Sequence, residues 1–325
     1  MSVGLEPPER DPFGPDLALR AVEPLAALNH AEVLCAADVH VAAALGRIAG
    51  VADPEILRCV ALTVAAARDG HAFHELSEED AERLGGCAAL VDASGQAVAP
   101  LRLDGRRLYL DRYWREERRL AAALLARSRM RSEVGDLAAL GRAIQAMFPD
   151  AAFSEQRTAA ALALLRDLAV IAGGPGTGKT TTVARIVALA HTLAGEDPPL
   201  IGLCAPTGKA AARMQEAVGS GVRASTIHRL LGWRPGHRFR HDASNRLPHD
   251  FVIVDETSMV PLSLMVRLVE AVRDDAQLVL VGDPDQLAAI EVGAVLRDIV
   301  GPAAEAPRFG PGMRATLARV LGEAP

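Results

Sequence analysis

The stretch Gly173–Thr180 reads Gly-Gly-Pro-Gly-Thr-Gly-Lys-Thr and decides how the rest of the chain is interpreted. An apolar run, Leu168–Ala172, precedes it, and a helical pattern follows it. Glycines let the backbone wrap closely enough for its N–H groups to hold phosphate oxygens, and the positive end of the following helix dipole adds to the attraction. Lys179 would then reach the β- and γ-phosphates, and Thr180 would hold Mg²⁺. The stretch therefore predicts a phosphate-binding loop for ATP.

The side chain that we expect to read the base is Gln156, which stands just ahead of a helix and the strand that leads into the loop. A glutamine amide offers a donor and an acceptor, so it can pair with both along the edge of adenine. The residues expected to contact the nucleotide are Gln156, Gly173, Gly174, Pro175, Gly176, Thr177, Gly178, Lys179, Thr180 and Thr181. The competing interpretation is a glycine-rich turn with an accidental Lys-Thr pair.

Length and composition favour a globular protein. The chain has 325 residues, of which 50% are apolar, and this is enough for about two domains with buried cores. No stretch of about 20 residues is free of charge, and the N-terminus lacks the basic and apolar parts of a signal peptide. The four cysteines form no Cys-x-x-Cys pair, which argues against a zinc site or a disulfide framework. We expect a cytoplasmic protein without a membrane contact.

The net charge of -6 argues against a protein that coats nucleic acid through its global charge. Two segments are nevertheless basic. Between Arg102 and Arg131 there are ten arginines, and between Arg223 and Arg246 there are six. For the first segment we favour a solvated helix face or a protein contact. For the second, which lies beside the nucleotide motifs, nucleic acid and solvent are equally compatible with the pattern.

The N-terminal part predicts a domain with no catalytic spacing. Residues 1–16 are rich in proline and acidic side chains and predict a disordered leader. Residues 17–150 predict a mostly helical domain, with helix starts at Asp53 and Ser77. An Asp-Gly pair at Asp104 predicts the turn of a small hairpin. We interpret this part as a docking domain.

Residues 151–325 alternate apolar strands with polar turns and helices, which predicts an α/β domain with a buried parallel sheet. The strand at residues 200–205 is followed by Thr207 and Lys209. This order places a hydroxyl and a cation at the carboxyl end of a strand, where open α/β sheets bind ligands. An ordinary helix cap is the alternative.

Two further strands end in polar side chains that suit phosphoryl transfer. Phe251–Val254 is apolar and ends in Asp255 and Glu256. We expect Asp255 to hold Mg²⁺ and Glu256 to activate the attacking water, because charge neutralisation and nucleophile positioning are separate tasks in this reaction. Gln286 follows the next apolar strand and is placed to sense the γ-phosphate. Lys179, Glu256 and Gln286 together form the expected catalytic set.

Five segments, in this order along the chain, resemble the first half of superfamily 1 DNA helicases. They are Gly173–Thr180, Ala205–Ala211, Ser225–Leu231, Val254–Met259 and Gly282–Leu287. Within the superfamily the chain is similar to the RecD family, the alpha subunit of exodeoxyribonuclease V (RecBCD), and residues 108–117 resemble the end of the N-terminal domain of that family. The likeness is dense from Gln156 to Val295.

This resemblance implies a RecA-like P-loop NTPase domain with a parallel sheet, preceded by the mostly helical N-terminal domain. It implies a motor that moves 5′ to 3′ on single-stranded DNA in double-strand-break repair and recombination, within a heterotrimer with RecB- and RecC-like subunits. The N-terminal domain would dock on the RecC-like partner, and the nuclease site would belong to the RecB-like one. Thr207, Lys209, Thr226 and His228 match the family's positions that contact the DNA strand.

The family pattern also includes a second RecA-like domain, whose arginines complete the ATP site. The sequence stops at Pro325, soon after Gln286, so we expect half a motor that binds Mg-ATP and single-stranded DNA weakly and does not unwind a duplex by itself. Two other interpretations remain open at this point. One is a stand-alone RecD-like helicase, and the other is a nucleotide-dependent DNA- or partner-binding protein that does not translocate.

Overall fold

The computed structural model describes residues 16–18, 20–92, 94, 98–128, 136–236, 238–286, 292–293, 295–301 and 309–322. The chain divides into two units, of which the first ends at Arg115 and the second begins at Glu116. The expected leader, residues 1–16, lies outside the described residues apart from Asp16. The boundary that the sequence predicts near residue 150 differs from this division, and the docking role of the first part stays a prediction.

The described residues of the first unit include four helices before Asp111. They are α1 (Leu25–His30), α2 (Ala36–Ala49), α3 (Pro54–Arg68) and α4 (Glu78–Gly85). Both predicted helix starts are confirmed. The Asp53 carboxylate accepts a hydrogen bond from the N–H of Glu55 at 2.9 Å, and the Ser77 hydroxyl accepts one from the N–H of Asp80 at 3.1 Å.

A small sheet completes the first unit. Its strands are β1 (Phe73–Glu75), β2 (Val91–Asp92), β3 (Leu101–Asp104) and β4 (Arg107–Leu110), in the order β1-β4-β3-β2. The pair β3–β4 is the predicted hairpin, and Gly105 in its turn has a φ of +60°, which glycine adopts without strain. The first two strands have only three and two residues, too few for a sequence pattern to reveal them.

Arg102 of β3 shows that the first basic segment is not simply a solvated face. Its side chain is 1% exposed and pairs with Asp92 of β2 and, at 2.5 Å, with Asp111. A buried charge is tolerated only when it is paired. The guanidinium therefore ties the short strand β2 to the hairpin.

The helix α5 spans Asp111–Arg127, and the second unit contains the remaining elements. Its helices are α6 (Leu137–Met147), α7 (Ser154–Leu165), α8 (Lys179–Ala194), α9 (Gly208–Val218), α10 (Ile227–Leu230), α11 (Leu262–Ala271), α12 (Val295–Val300) and α13 (Pro311–Leu321). Its strands are β5 (Leu168–Ala172), β6 (Ile201–Ala205), β7 (Ala224–Thr226), β8 (Trp233–Arg234), β9 (Arg238–Phe239), β10 (Phe251–Val254) and β11 (Gln277–Gly282).

Five of these strands form a parallel sheet in the order β5-β11-β10-β6-β7, which confirms the predicted fold class. All five strands end at the same edge because all pairs are parallel. The registers Gly282↔Ala172 and Ala205↔Thr226 show that the strand ends are aligned there. The loops after β5, β11 and β10 therefore lie at one part of this edge, and those after β6 and β7 at the other. Strands β8 and β9 form a separate antiparallel hairpin.

The core of the second unit is an aliphatic layer between the sheet and its helices. Every residue of β6 and of β10 is buried, as expected for central strands of a parallel sheet. Helix α8 buries Val183, Ile186 and Leu189 against this layer. The strand β5 is less buried because it is an outer strand of the sheet, with a neighbouring strand on one side only. Among the described residues no helix combines the length and the apolar composition of a membrane span.

Two arginines close the carboxyl end of α11. Arg127 of α5 is buried and donates hydrogen bonds to the carbonyl oxygens of Val272 and Arg273, at 2.5 and 2.8 Å. Arg246 donates to Val272 O at 2.9 Å. Cations at a helix carboxyl end satisfy carbonyls that lack an intrahelical partner. Arg127 of the first basic segment and Arg246 of the second thus have a structural function, as Arg102 does.

Candidate functional site

The backbone of the loop after β5 has the geometry that the sequence predicts. The strand is continued by the N–H of Gly173, which donates to the carbonyl of Gly282 at 3.1 Å. Gly176 and Gly178 both have φ near +78°, a conformation that other residues adopt only with strain, and α8 begins directly afterwards at Lys179. The glycines therefore serve to turn a strand into a helix within six residues.

The Lys179 side chain crosses the mouth of this loop. Its Nζ donates to the carbonyl oxygens of Gly173 at 2.5 Å and Gly174 at 2.7 Å. Gly174 O also accepts a hydrogen bond from the Thr177 hydroxyl at 2.9 Å. The ammonium group is thus placed over the concave side of the loop, where its charge is available to a phosphate chain.

The loop after β10 brings an acid pair to the same edge of the sheet. The Asp255 carboxylate is buried and accepts the N–H of Glu256 at 2.8 Å. Burial raises the pKa of Asp255, and the Glu256 N–H, the Lys179 charge and the Thr180 hydroxyl act in the opposite direction. The oxygens of Thr180 and Asp255 are of the hard type that Mg²⁺ prefers, so this pair could hold the ion.

Glu256 has an unusual backbone conformation. Its φ of +51° and ψ of 40° lie in the left-handed region, although it is not a glycine. Such a conformation costs about 1–3 kcal/mol and tends to occur at functional sites. This conformation lets the backbone change direction at Glu256, which lies between β10 and the short 3-10 turn Thr257–Met259.

The end of β11 packs directly against that turn. A Cβ atom at Gly282 would lie 3.1 Å from the Thr257 nitrogen and 2.6 Å from a Leu296 methyl group, so no larger residue fits without displacing its neighbours. Asp283 is buried and accepts the N–H of Asp285 at 3.1 Å, while Gln286 is exposed. This close packing holds the end of β11, from which the Gln286 loop starts, against the turn that follows Asp255 and Glu256.

These loops together enclose a cavity of about 390 Å³. Nine predicted residues line it, namely Pro175, Gly176, Gly178, Lys179, Thr180, Thr181, Asp255, Glu256 and Gln286. Gly173, Gly174 and Thr177 form the base of the loop outside this lining. A cavity lined by a lysine, hydroxyls, carboxylates and an amide can accommodate a phosphate chain with a divalent cation.

Gln156 lies on the first turn of α7, next to the loop and outside the lining of the cavity. Its Nε2 donates to the carbonyl of Thr177 at 3.3 Å. Its Oε1 is buried and has no hydrogen-bond partner among the residues that the structure describes. A buried acceptor without a partner is costly, and the amino group of a purine base is a donor that would satisfy it.

Thr207 and Thr226 lie at the ends of the adjacent strands β6 and β7, at the other part of the same edge. Both hydroxyls cap helices. Thr207 accepts the N–H of Ala210 at 3.1 Å, and Thr226 accepts the N–H of Arg229 at 3.3 Å. The ordinary helix cap, weighed as an alternative for Thr207, is therefore present, and a capping hydroxyl can still donate its proton outward.

Lys209 and His228 are exposed and follow these two caps. The His228 ring lies 5.8 Å from the Phe239 ring of β9, so α10 contacts the β8–β9 hairpin. Trp233 of that hairpin is 52% exposed. Exposed rings among arginines are typical of surfaces on which nucleobases stack. The structure thus brings the four predicted strand contacts to one region of the sheet edge, and their role stays a prediction.

Four residues line the nucleotide cavity without having been predicted there. They are Ala210, Arg213, Gly282 and Asp283. The sequence offered no signal for Arg213, because Ala210, which shares its face of α9, was not predicted at the cavity either. Asp283 follows β11 directly, and its position at a strand end was the available signal.

Comparison with known proteins gives a consistent family. A family model described as an AAA domain matches residues 156–292. The RecBCD enzyme subunit RecD of Mycobacterium tuberculosis (strain ATCC 25618 / H37Rv) is 47% identical over 318 aligned residues, which cover 88% of this chain and 54% of that protein. The subunit RecD of Haemophilus influenzae is 33% identical over 226 residues, 62% of this chain and 35% of that protein. The chain spans about half the length of the mycobacterial relative.

A shorter similarity links the chain to a DNA helicase. The ATP-dependent RecD2 DNA helicase of Deinococcus radiodurans is 49% identical over 129 residues, which cover 40% of this chain and 17% of that protein. Among solved structures, Bacteroides Pif1 bound to single-stranded DNA has 23% identity and a TM-score of 0.30, covering 47% of this chain and 36% of that one.

Proposed function

Because the chain belongs, over the length that it has, to the RecD family, we propose that it provides the ATP-hydrolysing part of a DNA helicase that moves 5′ to 3′ in double-strand-break repair and recombination. The observation that carries this proposal is the convergence of Lys179, Asp255, Glu256 and Gln286 on one cavity. These side chains come from three separate loops, and a glycine-rich turn formed by accident would not bring them together.

In the proposed site the phosphate chain of ATP lies along the loop Gly173–Thr180. The Lys179 ammonium neutralises the β- and γ-phosphates, and the N–H groups at the start of α8 bind their oxygens. Thr180 and Asp255 hold Mg²⁺, which supplies further charge neutralisation when it is bound. Gln156 pairs with the adenine edge through its unpaired Oε1 and its amide N–H groups.

Glu256 is the proposed general base. Its carboxylate lines the cavity next to Asp255, so it can take a proton from a water molecule that attacks the terminal phosphate. Gln286 lines the same cavity and can donate or accept a hydrogen bond at that phosphate. The carboxylate moves the proton and the amide positions the reacting groups, which is the division of tasks that phosphoryl transfer requires.

The region around Thr207, Lys209, Thr226 and His228 is the proposed contact for single-stranded DNA. It lies at the same sheet edge as the nucleotide cavity, and α9 borders both. Hydroxyls and one cation suit backbone phosphates, while the His228 and Trp233 rings suit stacking with bases. Because both sites lie at the same edge of the sheet, the nucleotide bound at one site can change the affinity for DNA at the other.

We also propose that the chain acts with RecB- and RecC-like subunits. The similarity to RecD subunits includes the N-terminal part, since it covers 88% of the chain, whereas the similarity to RecD2 covers 40%. This difference favours a complex subunit over a stand-alone helicase. Co-expression with RecB- and RecC-like proteins from the same organism, followed by purification through a tag on this chain, would contradict the proposal if no heterotrimer forms.

The helicase function is tested with the longest form of the protein that its gene encodes, alone and in the purified complex. Duplexes carry a single-stranded tail at the 5′ or at the 3′ end, and strand displacement is followed with ATP. We expect ATP-dependent displacement from the 5′-tailed substrate. Displacement from the 3′ tail only, or none with either tail in an assembled complex that binds ATP, contradicts the proposed function.

A further inference from the structure

One cation that lines the nucleotide cavity lies outside the five segments that resemble superfamily 1 helicases. Arg213 lies on α9, outside the stretches that resemble helicase motifs, and its side chain is part of the cavity wall. Ala210, three residues earlier, lines the same wall. The two residues share one helix face, and the small alanine leaves room for a ligand to approach the guanidinium.

The guanidinium of Arg213 is available to a ligand. The residue is exposed, and among the residues that the structure describes it has neither a hydrogen-bond partner nor an ion-pair partner. Asp255, Glu256 and Asp283 line the same cavity, yet none of them pairs with it. An arginine that faces a cavity without a partner is suited to a planar oxyanion, because its donors can form two parallel hydrogen bonds to one phosphate.

The position of α9 determines which phosphate Arg213 could reach. The phosphate loop follows β5, whereas α9 follows β6, and the strands β11 and β10 lie between them in the sheet. Lys179 and Arg213 therefore line the cavity from two different elements, the start of α8 and the middle of α9. A phosphate chain that is anchored on the loop by Lys179 would leave its terminal group free to meet the other side chains of the cavity, among which Arg213 is a cation without a described partner.

We infer that Arg213 binds the terminal phosphate of ATP and makes the site selective for the triphosphate, and that α9 transmits this contact to the strand-binding region. Thr207 caps this helix and Lys209 lies on its first turn, so a single rigid helix carries a phosphate contact at one position and the proposed DNA contacts at another. The inference rests on the proposed nucleotide site. Two ligands that share one element have coupled affinities, and the coupling is reciprocal.

The test uses the whole chain and compares Arg213→Ala and Arg213→Lys with Arg319→Ala, an exposed arginine on α13 outside the cavity. Affinities for fluorescent AMP-PNP and ADP are measured with Mg²⁺. We expect Arg213→Ala to weaken AMP-PNP binding about tenfold and ADP binding less than about twofold, because only the triphosphate loses a charge-assisted contact. Arg213→Lys should recover part of the loss, and Arg319→Ala should match the parent.

A second measurement addresses the link to DNA. Binding of a fluorescein-labelled thymidine oligonucleotide of about 20 nucleotides is measured with and without AMP-PNP. We expect AMP-PNP to change the affinity of the parental chain for this strand and to have no effect on Arg213→Ala. Equal losses of AMP-PNP and ADP binding, or a nucleotide effect that persists in Arg213→Ala, overturn the inference.

The outcome separates this inference from the proposed function. If Lys179→Ala abolishes nucleotide binding while Arg213→Ala behaves like Arg319→Ala, the nucleotide site stands and the role of Arg213 is refuted. If the parental chain binds neither nucleotide, the proposed function and the inference both fail. Circular dichroism of each variant shows that a loss of binding is not a loss of folding.

Discussion

The chain contains only two lysines, and they mark two regions of one sheet edge that are built in different ways. Lys179, after β5, is partly buried, and its ammonium donates to two backbone carbonyls of the phosphate loop. Lys209, after β6, is exposed and has no hydrogen-bond or ion-pair partner among the described residues. The first region is defined by backbone geometry, and the second is defined by the side chains that it displays.

This difference determines how specific each region can be. Left-handed glycines, a strained Glu256 and the close contact at Gly282 restrict the backbone of the first region. A fixed arrangement suits a reaction, because misplaced groups lose rate steeply. The second region offers a helix cap, an exposed cation and exposed rings, which can bind a flexible strand without reading its sequence.

The strongest test of the first region is the exchange of its proposed base. Glu256→Gln should lower ATP hydrolysis by about 10²–10⁴-fold, because the amide keeps the shape of the side chain but takes no proton from water. ATP and Mg²⁺ binding should stay near the parental level. Turnover is measured with single-stranded DNA in the longest form that the gene encodes, and hydrolysis at the parental rate in the variant would remove Glu256 from the role.

The lysine of the first region should matter next. Lys179→Ala should weaken ATP binding by about 100-fold or more, since it removes the cation that lies over the phosphate loop. Nucleotide titration decides the matter, with circular dichroism as a check on folding. A folded variant with unchanged affinity for ATP would mean that the loop has a structural role only.

The contact at Gly282 tests whether the first region is as rigid as its geometry suggests. Gly282→Ala should lower the free energy of unfolding by about 1–3 kcal/mol, because the added methyl group meets Leu296 and the turn at Thr257. Gly312→Ala on α13 is the matched control, since a Cβ there has no neighbour within 4 Å. Urea denaturation of both variants is the measurement, and equal stabilities would show that the loops yield easily.

The second region should respond weakly and in a salt-dependent way. Lys209→Ala should weaken binding of single-stranded DNA a few-fold and reduce the slope of log affinity against log salt by about 0.7, because one phosphate contact is lost. Arg319→Ala serves as the control for a lost charge elsewhere. An unchanged slope in Lys209→Ala would mean that the DNA strand binds away from β6. The two lysines would then have no common function.

The local geometry of the first region followed from the sequence because chain neighbours determine it, and the roles of its residues stay predictions. Glycines and a Lys-Thr pair within eight residues, and an acid pair directly after an apolar strand, define their geometry through chain neighbours alone. The parallel sheet followed from the same apolar strands. Arg213 and the close contact at Gly282 could not be predicted in this way, because they depend on which strands become neighbours in the sheet.

The basic segments show what could not be predicted from the sequence. Arg102, Arg127 and Arg246 look like solvated charges in the sequence, but each is paired with carboxylates or with the carbonyls at the end of α11. A count of arginines contains no information about burial, since the partners lie on distant segments. The short strands β1 and β2 were missed for a related reason, because they exist only through their pairing with the hairpin.

The absence of a side chain at Gly282 has a consequence for protein engineering. The segment after β10 packs closely against the end of β11 at this position, so the two surfaces are complementary in shape there. A graft that transfers only one of them into a related scaffold would bring together surfaces that were not shaped for each other. The acid pair and the glutamine loop should therefore be exchanged between homologues as a single cassette, together with the leucine at position 296.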